Sequence, residues 1–385
     1  MARTNAGRFS RVGLATLAVA VLVLAGWWLG SLWSGSSWLE RPGWQTGPRD
    51  TPHEIVVGDG VTGPADMAWV PGGEFLMGSD SRLAQPNEKP AHPVRVDGFW
   101  MDVTHVTNQD FARFVEETGY VTTAQRKPDW ETIRVQLPPG TPRPPEEVLV
   151  SGAMVFTGTS APANLMHYWQ WWTYVPGADW RFPQGPDSTI EGKADHPVVQ
   201  VSYEDVLAYA HWAGKRLPTE AEWEFAARGG LEQATYVWGD ELMPEGRLQA
   251  NYWSDSPTFP VVSPKAGGAT GTLPVKTFAP NGYGLYDMTG NAWQWVADWY
   301  QADYFIEQAR KAKGHIVDPQ GPSQSYDPYE PGVPADAPKR VIRGGSFLCN
   351  ERYCLSYRPS ARQGSDPYSP MSHLGFRLVS DAPAP

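Results

Sequence analysis

The longest apolar run stands at the amino terminus. Uncharged residues extend unbroken from Val12 to Trp33, 22 positions, behind Arg3, Arg8 and Arg11. About 20 apolar residues span a bilayer core, so residues 1–33 read as a short cytoplasmic stretch and a membrane anchor. Trp27, Trp28, Trp33 and Trp38 crowd its far end, as interfacial tryptophans do. The arginines precede the span and no further basic residue comes before Arg41, which places everything after it outside the cytoplasm. The rival reading is a cleaved signal peptide with Val23-Leu24-Ala25 before the cut, which would release a secreted protein. Both readings export the domain. Residues 34–65 are Gly, Ser, Pro and polar side chains without a period, a flexible tether.

Periodic segments begin near Met67. Met67–Met77 predicts two short strands around Pro71-Gly72-Gly73. Thr107 caps a helix through Glu117, with Phe111, Phe114 and Val115 at helical spacing. A second helix starts at Ser202 and is expected to bury Val206, Leu207, Ala210 and Ala213 before stopping at Gly214. The third opens on Thr219-Glu220-Ala221-Glu222, a capping box, carries Trp223, Ala226 and Ala227 inward and ends at Gly229-Gly230. Arg340–Phe347 and Leu374–Ser380 read as strands, Lys127–Val150 and Ala302–Lys339 as long loops. No internal repeat is visible. The globular domain covers 66–381, with 382–385 a tail.

Composition narrows the class. The 39 glycines and 37 prolines make up a fifth of the 385 residues, against roughly 12% in an average protein. Neither suits a helix interior, which excludes a long-helix bundle. With 41% hydrophobic and 12% aromatic residues the chain is not disordered. The expectation is an α+β domain of short helices and strands with long loops and low regular secondary structure. A net charge of −11 offers no basic face for a nucleic acid.

The two cysteines, Cys349 and Cys354, lie in Gly344-Gly345-Ser346-Phe347-Leu348-Cys349-Asn350-Glu351-Arg352-Tyr353-Cys354. An exported domain forms disulfides, and on local sequence the bridge is favoured. The alternative is a thiolate pair. Two thiolates without a nearby histidine suit Cu(I), since soft sulfur selects soft copper, while structural zinc takes four protein ligands. His92, His105, His167, His196, His211, His315 and His373 show no HExxH spacing. Asp195-His196 and Glu220/Glu222 read as structural, and Tyr203, Tyr209 and Trp212 as core.

Several segments together resemble the formylglycine-generating enzymes, the sulfatase-modifying factors: Met67–Ser79, Trp180–Ile190, Asp195–Gly230, Asn281–Trp295, the stretch from Arg340 to Cys354, and His373–Asp381. RLPTEAEWE and GNxW belong to a wide superfamily, while Cys-x4-Cys behind Gly-Gly-Ser, with GPDSTI, is specific to the enzymes. The resemblance implies a C-type-lectin-like fold and raises the thiolate reading above the bridge. It implies oxidation by O₂, with an external reductant, of a cysteine in an unfolded sulfatase Cys-x-Pro-x-Arg segment to Cα-formylglycine. The expected state is a monomer. The alternative is a catalytically silent, membrane-tethered binding module of the same fold.

By this resemblance Cys349 and Cys354 hold Cu(I), Ser346 lies beside it as a hydrogen-bonding hydroxyl, and Trp293 lines the pocket wall. The bland alternatives are a turn hydroxyl for Ser346 and a core aromatic for Trp293. Relatives often carry His where this chain has Asn350, which puts a proton-transfer role there in doubt. The family also holds structural Ca²⁺ in its NxxGNxWEW segment, matched here by Asp287, Gly290, Ala292 and Gln294, the acid having moved from the last position to the first. Asn251 and the Tyr252 carbonyl match a second calcium site. Its acidic partner aligns with Gly267, so that site is expected to be lost or remodelled.

Overall fold

The computed structural model describes residues 54–262, 271–381 and 383; the predicted anchor and most of the tether lie outside these residues. No helix among the described residues is long and apolar enough to cross a membrane. The helices are α1 (Asn108–Thr118), α2 (Trp130–Arg134), α3 (Tyr203–Trp212), α4 (Glu220–Arg228) and α5 (Tyr304–Lys311). Three of them start as their sequences demand. Thr107, Ser202 and Thr219 each accept a hydrogen bond from the backbone N–H three residues on, and Asp110, Asp205 and Glu222 return the bond to the cap. Gly119 and Gly229 end α1 and α4 in the left-handed conformation.

The strands are short and dispersed. In chain order they are β1 (Met67–Val70), β2 (Gly73–Met77), β3 (His92–Val96), β4 (Phe99–Asp102), β5 (Gly152–Phe156), β6 (Trp172–Pro176), β7 (Trp293–Trp299), β8 (Ile316–Val317), β9 (Arg340–Arg343), β10 (Arg362–Ser365), β11 (Leu374–Gly375) and β12 (Val379–Ser380). They form sheets β1-β4-β12, β2-β3-β8, β5-β6 and the central β10-β9-β7-β11. The expected strands around Pro71-Gly72-Gly73 are present but pair apart, β1 with β4 and β2 with β3. Gly72 permits this: its φ is +70°, and a Cβ would stand 2.6 Å from the Asp97 carbonyl carbon and Gly98 nitrogen.

Five expectations need correction. Lys127–Val150 is not all loop, since it contains α2, and Leu374–Ser380 is two strands, β11 and β12, in different sheets. Leu207 is 46% exposed; α3 turns Tyr203, Val206, Tyr209 and Ala210 inward. The stretch Ala302–Lys339 contains α5, which buries Phe305, Gln308 and Ala309 at helical spacing. The strand Arg340–Phe347 ends at Arg343, because Gly344 and Gly345 both take positive φ, +90° and +68°.

Charge is buried with the apolar core. Arg343 donates to Glu220 Oε1 (2.9 Å) and Glu224 Oε2 (2.6 Å), Arg362 to both Glu220 oxygens (2.6 and 2.8 Å), and Arg358 to both Glu88 oxygens (2.6 and 2.8 Å). Asp298 accepts from the Glu220 N–H at 2.7 Å. Burial, then the charge of Glu220, pushes the Asp298 carboxyl up to about 8. In the unfolded chain an aspartate ionises near 3.9, so stability present below that pH is lost as pH rises toward 8. Asp298→Asn is expected to remove this loss. Its melting temperature, relative to the native chain, should climb between pH 4 and pH 8; a constant difference contradicts the assignment.

Candidate active site

The cysteine segment is delivered by β9. At its end Arg343 is anchored on α4, and the chain then turns through Gly344 and Gly345. A Cβ on Gly344 would stand 2.7 Å from the Met288 carbonyl oxygen, and one on Gly345 2.8 Å from the Ser356 carbonyl carbon. Only glycine passes. Ser346 follows, fully buried; its carbonyl accepts from the Cys349 N–H (3.0 Å) and its Oγ accepts from the Leu348 N–H (3.2 Å). The side-chain bond uses an oxygen lone pair, so the Ser346 O–H remains a donor.

Asn350 then folds the loop back on itself. Its Oδ1 accepts from the N–H groups of Arg352 (2.9 Å) and Tyr353 (3.1 Å), and its carbonyl from those of Cys354 (3.3 Å) and Leu355 (3.0 Å). This Asx turn brings the Cα atoms of Cys349 and Cys354 to 4.8 Å, and the two sulfurs are joined as a disulfide. The structure thus holds the bridge that local sequence favoured and not the free thiolate pair that the resemblance put above it; the thiolate pair is its reduced form. Asn350 is buried and its Nδ2 has no partner in the protein. In this chain the residue at the relatives' histidine position builds the turn that brings the sulfurs together. Asn directly after the first cysteine was the available signal, since Asn favours such turns.

Aromatic side chains close the surroundings. The Trp253 backbone N–H donates to the Cys349 carbonyl at 2.9 Å, while its indole N–H donates to the Asp255 carbonyl at 2.9 Å. Tyr353, 41% exposed, packs its ring 5.6 Å from Trp171 and 5.1 Å from Phe259. Trp293 opens β7, is buried, and belongs to the same apolar cluster as Cys349 and Cys354. Its N–H donates to the His373 carbonyl (2.9 Å), and the His373 ring lies 4.7 Å from Trp172. Burial pushes the His373 imidazole down to about 3, and its Nδ1 has no partner in the protein. That histidine, neutral and enclosed, was missed because it carries no motif.

The donor set decides which metals fit. Among the described residues no group of three or more His, Cys, Asp or Glu side chains could hold a metal ion. Two sulfurs in one turn, once reduced, fit a low-coordinate soft ion such as Cu(I) and not tetrahedral zinc. Asp287, Gly290, Ala292 and Gln294 do not fit calcium, which takes six to eight oxygens. Gln294 Oε1 already accepts from Trp223 Nε1 and Arg377 Nε, both at 2.8 Å, while its Nε2 faces the carbonyls of Asp287 (3.2 Å) and Met288 (3.0 Å). The Ala292 carbonyl accepts from His105 Nε2 (2.9 Å), the Asp287 carboxylate from the Lys276 N–H (2.9 Å), and Gly290 supplies a left-handed turn. Asn251 donates to Asn291 Oδ1 and the Gly271 carbonyl, both at 3.1 Å, and Tyr252 stacks on Tyr357 at 4.6 Å. Gly267, which stands where the second site's acidic partner is expected, lies outside the described residues.

Comparison with known proteins places this geometry. The profile of the sulfatase-modifying factor enzyme 1-like domain matches residues 54–382. The chain is 45% identical over 337 residues to the formylglycine-generating enzyme of Thermomonospora curvata, covering 87% of this chain and 97% of that protein. It is 40% identical to the Mus musculus formylglycine-generating enzyme, covering 82% and 75%. It is also 36% identical to the inactive Cα-formylglycine-generating enzyme 2 of Bos taurus, covering 86% and 92%.

Asn350→Ala removes the acceptor that holds the turn. A hydrogen bond of this kind contributes about 0.5–1.5 kcal/mol, so the variant is expected to melt lower. Its Cys349–Cys354 bridge should also open at a several-fold lower concentration of reducing thiol. A bridge as resistant to reduction as the native one would show that Asn350 does not set the turn.

Proposed function

The chain belongs to the sulfatase-modifying factor enzyme 1-like family, and on that premise we propose that it converts a cysteine of an unfolded sulfatase segment, Cys-x-Pro-x-Arg, to Cα-formylglycine. The observation that carries the reading is the Cys349/Cys354 pair, folded into one turn behind Gly344-Gly345-Ser346 and walled by aromatic side chains. The relative named inactive shares the overall sequence pattern, so the fold alone does not decide for catalysis.

The reaction balances as follows. The substrate R–CH₂–SH, O₂ and two external thiols give R–CHO, sulfide, water and one disulfide. The carbon is oxidised to the aldehyde level, and the two electrons supplied by the thiols complete the reduction of O₂. Reduced Cys349 and Cys354 would hold Cu(I), which when bound supplies a soft site for the substrate thiolate and a one-electron partner for O₂.

The remaining work belongs to the chain. Ser346 is fixed by the Leu348 N–H with its own O–H free to donate, a hydrogen bond available to a polar oxygen species beside the sulfurs. Trp293 excludes water from the wall. Tyr353, exposed and backed by the buried rings of Trp171 and Phe259, gives the turn an apolar edge on which an extended segment would lie. Asn350 positions both sulfurs. The proposal keeps the domain outside the cytoplasm behind an anchor at Val12–Trp33, where a tethered enzyme meets client chains before they fold.

The test uses the reduced full-length protein with Cu(I), a thiol reductant and a Cys-x-Pro-x-Arg peptide in air. Aldehyde formation, trapped with a hydrazide and read by mass spectrometry, is expected. It should be lost in Cys349→Ser and Cys354→Ser and fall at least tenfold in Ser346→Ala. Peptide binding without aldehyde would support the silent binding module instead.

A further inference from the structure

Arg377 lies between β11 and β12 with its side chain fully buried. Its five N–H groups reach five oxygens. Nε donates to Gln294 Oε1 (2.8 Å), one terminal nitrogen to the carbonyls of Asp102 (3.2 Å) and Val103 (3.4 Å), and the other to those of Tyr286 (2.6 Å) and Asp287 (3.1 Å). The balancing charge comes from the Asp287 and Asp102 carboxylates, through space. Burial pulls the guanidinium down to about 10, and it stays charged at neutral pH.

The orientation of Gln294 follows from its neighbours. Trp223 Nε1–H and Arg377 Nε–H are donors only, so the amide oxygen must face them. The amide nitrogen therefore points at the Asp287 and Met288 carbonyls, with two protons for two acceptors. A calcium ion gathered by those carbonyls would meet the positive end of the amide dipole and, next to it, a guanidinium. A glutamate at 294 would reverse the polarity: its second oxygen would face the same two carbonyls, an arrangement that calls for a cation.

We propose that the Gln294 amide, held in place by Trp223 and Arg377, takes the place of a structural calcium ion at residues 286–294, so that this segment is organised without a divalent metal. The Arg377 guanidinium supports the same segment, gathering carbonyl oxygens from separate stretches of chain, 102–103 and 286–287, around one positive centre. The consequence bears on the active site indirectly, since a Cβ on Gly344 would touch the Gln294 amide nitrogen at 3.1 Å. The proposal is independent of the oxidation chemistry.

The experiment compares melting temperatures of the full chain in excess EDTA and in millimolar calcium. A ligand that binds only the folded state raises its melting temperature. The native chain is expected to melt alike in both solutions. Should it melt lower in EDTA, Asp287→Ala decides: a difference that persists places the metal elsewhere and leaves the proposal standing, while one that vanishes overturns it. The converse arm is Gln294→Glu, which should acquire a melting temperature higher in calcium than in EDTA, with calcium in the dialysed protein by atomic emission. If Gln294→Glu folds and melts alike in both solutions, the amide is not what keeps the metal out, and the proposal fails.

Discussion

Arg343 has no contact with solvent: its guanidinium lies between Glu220 and Glu224, both on α4, and also takes the carbonyls of Pro359 and Ser360. Removing one partner of such a buried pair leaves a charge unpaired, at a cost of about 3–5 kcal/mol. The pair therefore clamps the end of β9 to one helix. Everything the site uses follows within a few residues: two glycines in the left-handed region, a serine whose oxygens hold the next turn, and an asparagine that closes the loop on the sulfurs. Arg362 shares Glu220, which ties β10 to the same carboxylate.

The same device recurs wherever regular structure is sparse. With strands of two to seven residues, backbone ladders cannot align segments far apart in sequence. Ion pairs and guanidinium-carbonyl clusters do so instead. Arg358 joins Glu88 across 270 positions, and Arg377 joins the β4 end to the segment before β7. These groups carry the desolvation penalty of buried charge and offset it with dense hydrogen bonding, in which Arg377 uses every N–H and Arg343 leaves only Nε without a partner in the protein. That explains how a chain so rich in Gly and Pro holds a defined site. It also explains why Glu220, which stands inside a capping box made by Thr219 and Glu222, has a role that capping would not suggest.

The helix starts were legible because hydroxyl and carboxylate at fixed spacing act locally, and Thr107, Ser202 and Thr219 behave as their sequences state. Strand partners were not legible. The turn at Gly72 separates β1 from β2, and nothing near Met67 announces Phe99–Asp102 as its partner. Helix α5 was hidden by the prolines and polar residues that follow it, although Phe305, Gln308 and Ala309 carry the period. At the site, the cysteines, Ser346 and Trp293 stood out through motif resemblance. Asn350 was read as a missing histidine when its own chemistry is that of a turn. The calcium expectation at Asp287–Gln294 counted oxygens along the sequence; the donors that claim them, Arg377, Trp223 and His105, come from distant positions.

The proposed chemistry requires that the reduced turn present two sulfurs, and no other strong ligand, to one copper ion. Copper K-edge X-ray absorption on the thiol-reduced, Cu(I)-loaded protein measures that coordination directly. A shell of two sulfur scatterers per copper, reduced to one in Cys349→Ser and in Cys354→Ser, is the expected result. A first shell of nitrogen or oxygen alone, or one unchanged in both serine variants, would contradict it.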